Sequence, residues 1–410
     1  MMEKYDKSIR ITIPPDAKRI MQRLTQAGFE AVIVGGYVRD FLMGRTAGDI
    51  DIATSATPEE VIAVFRGFTV VPTGMKHGTI TIVISGNPYE VTTYRIDGEY
   101  SDGRRPDEVH FTPNLYEDLR RRDFTVNAFA YNDEMGLIDF FSGTEDIRQT
   151  TIRCVGKAEE RFNEDYLRML RAYRFAAVLG FKIEEDTLNA ARQNKGKITA
   201  VSVERIRTEF DKLLLSDNFE MIEMFFQDFG SVILPSAMPC FEVMQRTENV
   251  LCQRLAAVFH KNITAEEIRA GKTYPLPLQQ MKYDNKTIKK TKGIVASRRV
   301  LYNADRATMK RLLNEHGAEL ARDCIAYFQA SEEDTKTAAA CLKIVDEILK
   351  SGEAYSIAQL AVNGNDLIQA GILPGRMVGE MLEKLLLIVI ENPNENTKER
   401  LMDRVISIVN

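Results

Sequence analysis

The 410-residue chain has no Cys-x-x-Cys pair: its five cysteines stand far apart at positions 154, 240, 252, 324 and 341. An odd and scattered set argues against a disulfide framework or a structural zinc. The four histidines are equally dispersed and no His-Asp dipeptide occurs, so neither a zinc cluster nor a phosphohydrolase cluster is expected. No apolar run approaches the ~20 residues of a membrane span; the densest, from Leu385 to Ile390, is far too short. The stretch from Met1 to Arg10 is charged and lacks a signal-peptide core. A cytoplasmic protein with no membrane partner is the expectation. Positive charge is not in excess either, with 54 Lys and Arg against 59 Asp and Glu. A polyanionic partner would therefore have to be met by local positive surface. Neither an internal repeat nor a low-complexity tract interrupts the chain. At this length two or more domains are expected, and 44% hydrophobic with 28% charged residues is ordinary for a soluble globular protein.

What the chain does contain is Gly35-Gly36-Tyr37-Val38-Arg39-Asp40, followed closely by Gly48-Asp49-Ile50-Asp51. The first stretch follows the apolar run Ala31-Val32-Ile33-Val34 and opens a helix-like segment. Two glycines thus occupy a strand-to-helix turn, where backbone N–H groups can approach phosphate. Asp49 and Asp51 are two apart in a strand-like segment, which predicts both carboxylates on one face. A third acid, Glu90, lies inside the strand-like Tyr89-Glu90-Val91-Thr92-Thr93-Tyr94. A Gly-Gly turn is more often just a turn, and Asp-x-Asp is common on solvated strand edges. Together, with a third carboxylate and no cysteine or histidine cluster, they favour Mg²⁺ held partly by substrate phosphates, and hence nucleotidyl transfer.

An amphipathic pattern from Asp16 to Ala27, stopped by Gly28, predicts a helix. Strand-like runs follow at Ala31 to Val34, Ile50 to Ala53, Thr69 to Val71, Thr79 to Ile84 and Tyr89 to Tyr94. Pro58-Glu59-Glu60 starts an intervening helix, with proline in the first turn and acids at its positive end. This predicts a mixed α+β unit of about 150 residues. From about Thr151 the period becomes 3.6 with few strand signals, and breaks at 235–239, 271–277 and near Gly352 divide a helical remainder.

Three further constellations carry chemistry. Asp97 to Pro106 is polar and glycine-punctuated, either a solvated hairpin tip or a lever beside the metal site. In Glu117 to Asn127, three arginines adjoin Asp123 and Asn127, four apart on a predicted helix and so on one face. Arginine suits triphosphate, and a carboxylate with an amide suits ribose hydroxyls. In Glu164 to Phe175, Arg168, Arg171 and Arg174 form a slanting band on a predicted helix whose other side holds Tyr166, Met169, Leu170, Tyr173 and Ala177. Asp165 lies near the edge of that band, where with Arg168 it could read the edge of a base.

These stretches resemble, in order, Gly-Gly-x-Val-Arg-Asp, Gly-Asp-x-Asp-Ile-Ala-Thr, Arg-Arg-Asp-Phe-Thr-x-Asn-Ala and Glu-Asp-x-Leu-Arg-x-x-Arg-x-x-Arg-Phe of the class II tRNA nucleotidyltransferases, the CCA-adding enzymes. Val201-Ser202-Val203-Glu204-Arg205-Ile206 resembles a further motif, and Leu360 to Asp366 resembles the tail of the shorter bacterial type. The resemblance implies a polymerase-β-like head with a mixed sheet (1–150), then an all-α neck (151–216), body (217–325) and tail (326–410). It implies Mg²⁺ on Asp49 and Asp51 with Glu90 as third carboxylate. Triphosphate and ribose contacts fall to Gly36, Arg39, Arg122, Asp123 and Asn127, and base selection to Asp165 and Arg168, with Arg171 and Arg174 as further nucleotide contacts. The implied partners are tRNA, met at its 3′ end and elbow, with CTP and ATP as substrates.

Bacterial poly(A) polymerases share such a head but usually carry a strongly basic C-terminal extension, absent here. CC-adding relatives lack the flexible loop that 97–106 supplies; A-adding relatives keep it. A silent tRNA-binding protein would be expected to have lost Asp49 or Asp51. In the helical region Lys286, Lys289, Lys290, Lys292, Arg298 and Arg299 form the most basic stretch, read as a solvated face or as a holder of tRNA phosphates.

Overall fold

The computed structural model describes residues 5–98, 108–262, 276–302 and 305–409, so all but the first two residues of the expected 97–106 loop lie outside the described residues. Two compact units result, Met1–Pro235 and Ser236–Asn410.

In the first unit an eight-stranded sheet runs in the order β1-β10-β9-β2-β3-β6-β5-β4. Its strands are β1 (Tyr5–Asp6), β2 (Ala31–Val34), β3 (Asp51–Thr54), β4 (Thr69–Gly74), β5 (Thr79–Ile84), β6 (Asn87–Thr93), β9 (Phe129–Asn132) and β10 (Gly136–Asp139). The short β7 (Arg95–Asp97) and β8 (Val109–Phe111) pair with each other, and β11 (Thr151–Ile152) pairs with β12 (Lys182–Ile183). The large sheet is mixed because β3 and β6 are parallel while β2 and β3, like β5 and β6, are antiparallel.

Period-2 alternation explains how β2 stays buried on both faces. Ala31 and Ile33 join one apolar cluster with Ile20, Leu24, Val61 and Phe65. Val32 and Val34 join another with Tyr94, Leu115 and Leu119. The first cluster is covered by α1 (Pro15–Gln26) and α3 (Pro58–Val64). The α3 start is specified locally, since Thr57 and Glu60 close a capping box around Pro58. Between them, α2 (Gly36–Leu42) follows β2 directly. After β8 come α4 (Leu115–Arg120) and α5 (Gly143–Arg148). Then α6 (Ala158–Glu164), α7 (Leu167–Leu179), α8 (Glu185–Asn194) and α9 (Val203–Leu214) complete the part that frames the site.

The second unit is helical among its described residues. Helices Asn285–Leu301, Arg306–Glu332 and Thr335–Ser351 pack on one another through residues such as Leu312, Cys324, Phe328, Cys341 and Val345. Arg306–Glu332 breaks its helical path at Gly317, whose φ is +74°. A separate cluster built on Leu367, Leu385, Val389, Leu401 and Val405 joins the last helices. All five cysteines are free and buried. Among the described residues no helix is long and apolar enough to cross a membrane.

Candidate active site

Strand register creates the centre of the site. Val34, the last residue of β2, stands opposite Asp51, the first of β3, and Asp51 in turn stands beside Glu90 of β6. The Gly35-Gly36 turn that leaves β2 is therefore delivered next to the carboxylates. Gly35 holds φ +73°, a left-handed conformation that favours glycine. Its backbone N–H is anchored to Phe129 O at 3.1 Å. A Cβ there would stand only 2.9 Å from Arg122 Nη1, so the absent side chain is what lets this guanidinium close over the turn. Asp49 precedes β3 rather than lying within it, contrary to the strand expected for both aspartates. It lines the same cavity nonetheless.

That cavity, about 760 Å³, gathers residues from seven separate segments. Gly36, Arg39, Asp49, Asp51, Glu90, Arg122, Asp123, Asn127, Asp165, Arg168 and Arg171 all line it. Arg174, expected with them, does not; its guanidinium lies 3.4 Å from the centre of the Phe175 ring and donates to Glu209 Oε2 at 2.8 Å.

The pair Asp123 and Asn127 is not held by helical spacing as expected. Helix α4 ends at Arg120, Phe124 is extended, and only Thr125–Asn127 makes a 3₁₀ turn. The helix stops because Asp123 Oδ1 accepts the Phe124 N–H at 2.8 Å and Thr125 N–H goes to Arg153 O, which draws the backbone out of register. Asn127 Nδ2 still reaches Asp123 Oδ1 at 3.1 Å through the turn.

From there a continuous polar chain crosses the cavity wall. Arg39 Nη1 donates to Asn127 Oδ1 at 2.5 Å and its other arm to Asp40. Arg171 Nε donates to Asp123 Oδ2 at 2.8 Å, and Arg171 and Arg174 share Glu209. Phe175 is the spacer, with Arg39 and Arg171 guanidinium carbons 5.4 and 5.2 Å from its ring centre. Burial alone would raise the Asp123 carboxyl, but Arg171, the Asn127 amide and Arg168 outweigh it and pull it down to about 2. The aspartate is thus a fixed anion.

Asp51 behaves oppositely. Surrounding protein disfavours its charged form and neighbouring Asp49 adds to that, so its carboxyl is raised despite the opposing pull of Arg122, even though the side chain stays open to solvent. Neighbouring carboxylates that line a cavity, with the charged form of Asp51 favoured by Arg122 too little to offset burial, fit a divalent ion. Among the described residues no group of three or more His, Cys, Asp or Glu side chains is placed to hold a metal ion. Asp49 and Asp51, with Glu90 on the next strand, line the cavity, and two carboxylates could hold Mg²⁺, an ion that takes one or two carboxylates and completes its shell with phosphate and water.

Arg168 is heavily engaged. It donates to Glu164 Oε2, to Arg161 O at 3.2 Å and to Arg121 O at 2.9 Å. Asp165 sits in the break between α6 and α7, with φ −141° and ψ 107°. Its Oδ1 accepts the Leu167 N–H at 3.1 Å and its Oδ2 accepts Arg205 Nη2 at 2.7 Å. Arg205, Arg121 and Phe175, which lay within quoted motifs but carried no assigned role, line the cavity together with Arg95 and Lys212. A signal for part of this set existed: Arg205, Glu209 and Lys212 recur at i, i+4 and i+7 on α9, one polar stripe opposite the apolar Ile206, Phe210, Leu213 and Leu214.

A mixed sheet with strand-edge carboxylates beside an arginine-lined cavity, framed by helices, defines a nucleotidyltransferase. Residues 31–153 match the model of the poly A polymerase head domain, residues 180–229 that of an RNA- and SrmB-binding site of polymerase A, and residues 268–405 that of tRNA nucleotidyltransferase domain 2. The chain is 37% identical over 407 residues to the CCA-adding enzyme of Lactobacillus delbrueckii subsp. bulgaricus, covering 95% of this chain and 97% of that one. It is 36% identical over 380 residues to the CCA-adding enzyme of Leuconostoc mesenteroides, covering 92% of each. Its structure is similar to that of the Bacillus stearothermophilus CCA-adding enzyme in complex with CTP, with a TM-score of 0.80, 33% identity, and 96% and 98% of the two chains covered. The chain belongs to the CCA-adding enzyme family of tRNA nucleotidyltransferases.

Proposed function

We propose that this chain adds C, C and A to the 3′ end of tRNA without a nucleic-acid template, taking CTP and ATP and releasing pyrophosphate. The observation that carries this reading is the convergence of the Gly35-Gly36 turn, Asp49, Asp51 and Glu90 with the Asp123, Asn127 and Asp165 groups on one cavity. Arg39, Arg122 and Arg171 would neutralise the triphosphate, Asp123 and Asn127 would fix the ribose, and Asp165 with Arg168 would read the base edge. Arg168 would have to exchange a present contact with Glu164 or a carbonyl to do so. Asp49 and Asp51 would hold Mg²⁺, which when bound supplies charge neutralisation and a lower pKa for the attacking 3′-hydroxyl. Glu90 adds a third negative oxygen group beside them. Positioning and charge then lower the barrier, with no covalent enzyme intermediate.

The test uses tRNA transcripts ending at the discriminator base, in C, in CC and in CCA, with CTP and ATP supplied separately and products resolved to single nucleotides. C addition to the first two and A addition to the third, lost with a chelator and restored by Mg²⁺, is the expected result. A addition alone would make the chain an A-adding enzyme. Long A tails would make it a poly(A) polymerase.

A further inference from the structure

Asp165, the residue assigned to base reading, has an unusual support. It lies at the joint between α6 and α7 with non-helical φ and ψ, its N–H closing α6 on Arg161 O and its C=O accepting the Arg168 N–H at the start of α7. Its carboxylate is clamped from two elements, Oδ1 by the Leu167 N–H at the start of α7 and Oδ2 by Arg205 Nη2 of α9. Each oxygen keeps a second lone pair for a ligand. Both side chains are largely withdrawn from solvent, at 16% for Asp165 and 26% for Arg205. Arg205 gives one arm to this contact, while its buried Nη1 has no hydrogen-bond partner. Arg168, the other expected base reader, is differently placed, since its amino groups already serve Glu164 and two backbone carbonyls.

We infer that Arg205 is a positioning residue for nucleotide choice: it fixes the rotation of the Asp165 carboxylate, so that the acceptor lone pairs meet an exocyclic amine and reject a carbonyl at the same place. Cytosine and adenine present such an amine; uracil and guanine present an oxygen on the corresponding edge. Without Arg205 the carboxylate is held by one backbone N–H only and can turn to suit either. The inference rests on the nucleotide-addition reading above.

The test compares wild type, Arg205→Ala, Arg205→Lys, Arg205→Gln, Asp165→Ala and the Asp165→Ala/Arg205→Ala double variant in the full-length protein. The readout is kcat/KM for CTP against UTP on tRNA ending at the discriminator base, and for ATP against GTP on tRNA ending in CC. Arg205→Ala should lower both ratios about tenfold, the loss of roughly one hydrogen bond to a charged group. It should lower cognate kcat much less. Arg205→Lys, which retains a charged donor, should recover part of the ratio. Because Arg205 acts through Asp165, the double variant should discriminate no worse than Asp165→Ala alone. Unchanged ratios in Arg205→Ala, or effects that multiply in the double variant, would overturn the inference. So would a loss of cognate kcat with ratios intact, which is what a merely structural contact would give. Should Arg205→Ala fail to fold, Arg205→Gln against Arg205→Lys carries the same comparison. Failure of the wild type to add any nucleotide would instead overturn the reading on which this rests.

Discussion

The two compact units use charge in opposite ways. In the first, eight cationic side chains and only five carboxylates line a single cavity, and anions are shared, as Glu209 is between Arg171 and Arg174. In the second, cations meet carboxylates within the unit: Arg298 with Glu332, Lys290 with Glu319, Arg322 with Asp346, and Arg306 with both Glu347 and Glu353. An unbalanced cluster around an open space marks a place for an anionic ligand, whereas a balanced network marks a structural joint. The net charge of −5 conceals this, because it averages the two.

Removing an acid from the unbalanced site should have the largest effect. Asp49→Ala or Asp51→Ala should reduce nucleotide addition more than about a thousandfold, since loss of catalytic charge stabilisation costs several kcal/mol. Stability should be unchanged or slightly higher, because burial, with a smaller addition from Asp49, disfavours the charged Asp51 carboxylate in the folded chain. Steady-state kinetics with Mg²⁺ and a thermal melt check both halves; normal turnover in either variant would remove the metal assignment.

Arg298→Ala tests the balanced unit. Arg298 is 3% exposed and donates twice to Glu332 Oε1, whose other oxygen accepts the Tyr302 hydroxyl. Breaking a buried pair from one side should cost about 3 kcal/mol of stability, measured by urea denaturation, and leave nucleotide selectivity as it was. A selectivity change would mean that this network serves the ligand after all.

Much of this was legible beforehand, and the reason is local. The four strands nearest the site follow from apolar runs and alternation, and Gly35 announces a turn by residue type alone. The acids that share a cavity were legible because their partners are adjacent in sequence or standard for phosphate chemistry. What was not legible depends on long-range pairing. The non-helical path at Asp123 is set by its own side chain and by Arg153 O, and nothing in the helix-like spacing of 117–127 signals either. Arg205 becomes meaningful only when α9 packs on α7 and brings it to Asp165, 40 residues away in sequence. The basic stretch read as one patch is divided by packing, with Arg298 buried and Lys286, Lys289 and Lys292 exposed.

Gly35→Ala probes the turn between these extremes. Alanine held at this positive φ costs about 1–3 kcal/mol, and the Cβ would press on Arg122 Nη1. Nucleotide addition should fall roughly tenfold or more while the protein stays folded, with the loss concentrated in KM for the nucleotide. A purely thermal defect with normal KM would show that the close approach of Arg122 is unimportant.

The units should also part company in acid. His260 of the second unit is pushed down to about 4 by burial, reinforced by nearby Arg298. Its ordinary value is 6.5, so the unfolded chain takes up a proton first, and stability is lost as pH falls from 6.5 towards 4. Asp123 of the first unit has the depressed value of about 2 against 3.8, so its contribution is complete above 3.8 and is lost only between there and about 2. Hydrogen exchange followed by peptide mass should show His260 and its surroundings loosening at pH 5, with the Asp123 region still protected. His260→Gln should flatten the upper window alone. Simultaneous loosening of both regions at pH 5 would contradict the assignment.

The smallest expected effect concerns the exposed lysines. Lys286, Lys289 and Lys292 lie three apart on the helix Asn285–Leu301, a slanting band of one sign, whereas Lys290 is tied to Glu319 at 2.6 Å. If the band meets tRNA phosphates, replacing all three with alanine releases fewer counterions on binding. The slope of log affinity against log salt should then fall by about 1 to 3, and tRNA should bind a few-fold more weakly at moderate salt. The CTP-to-UTP ratio should not move, because phosphate contacts carry no information about the incoming base. Lys290→Ala, whose charge is already countered within the unit, should change the slope least. An unchanged slope in the triple variant would class the band as a solvated face, and leave the unbalanced cavity of the first unit as the place where this chain meets nucleic acid by charge.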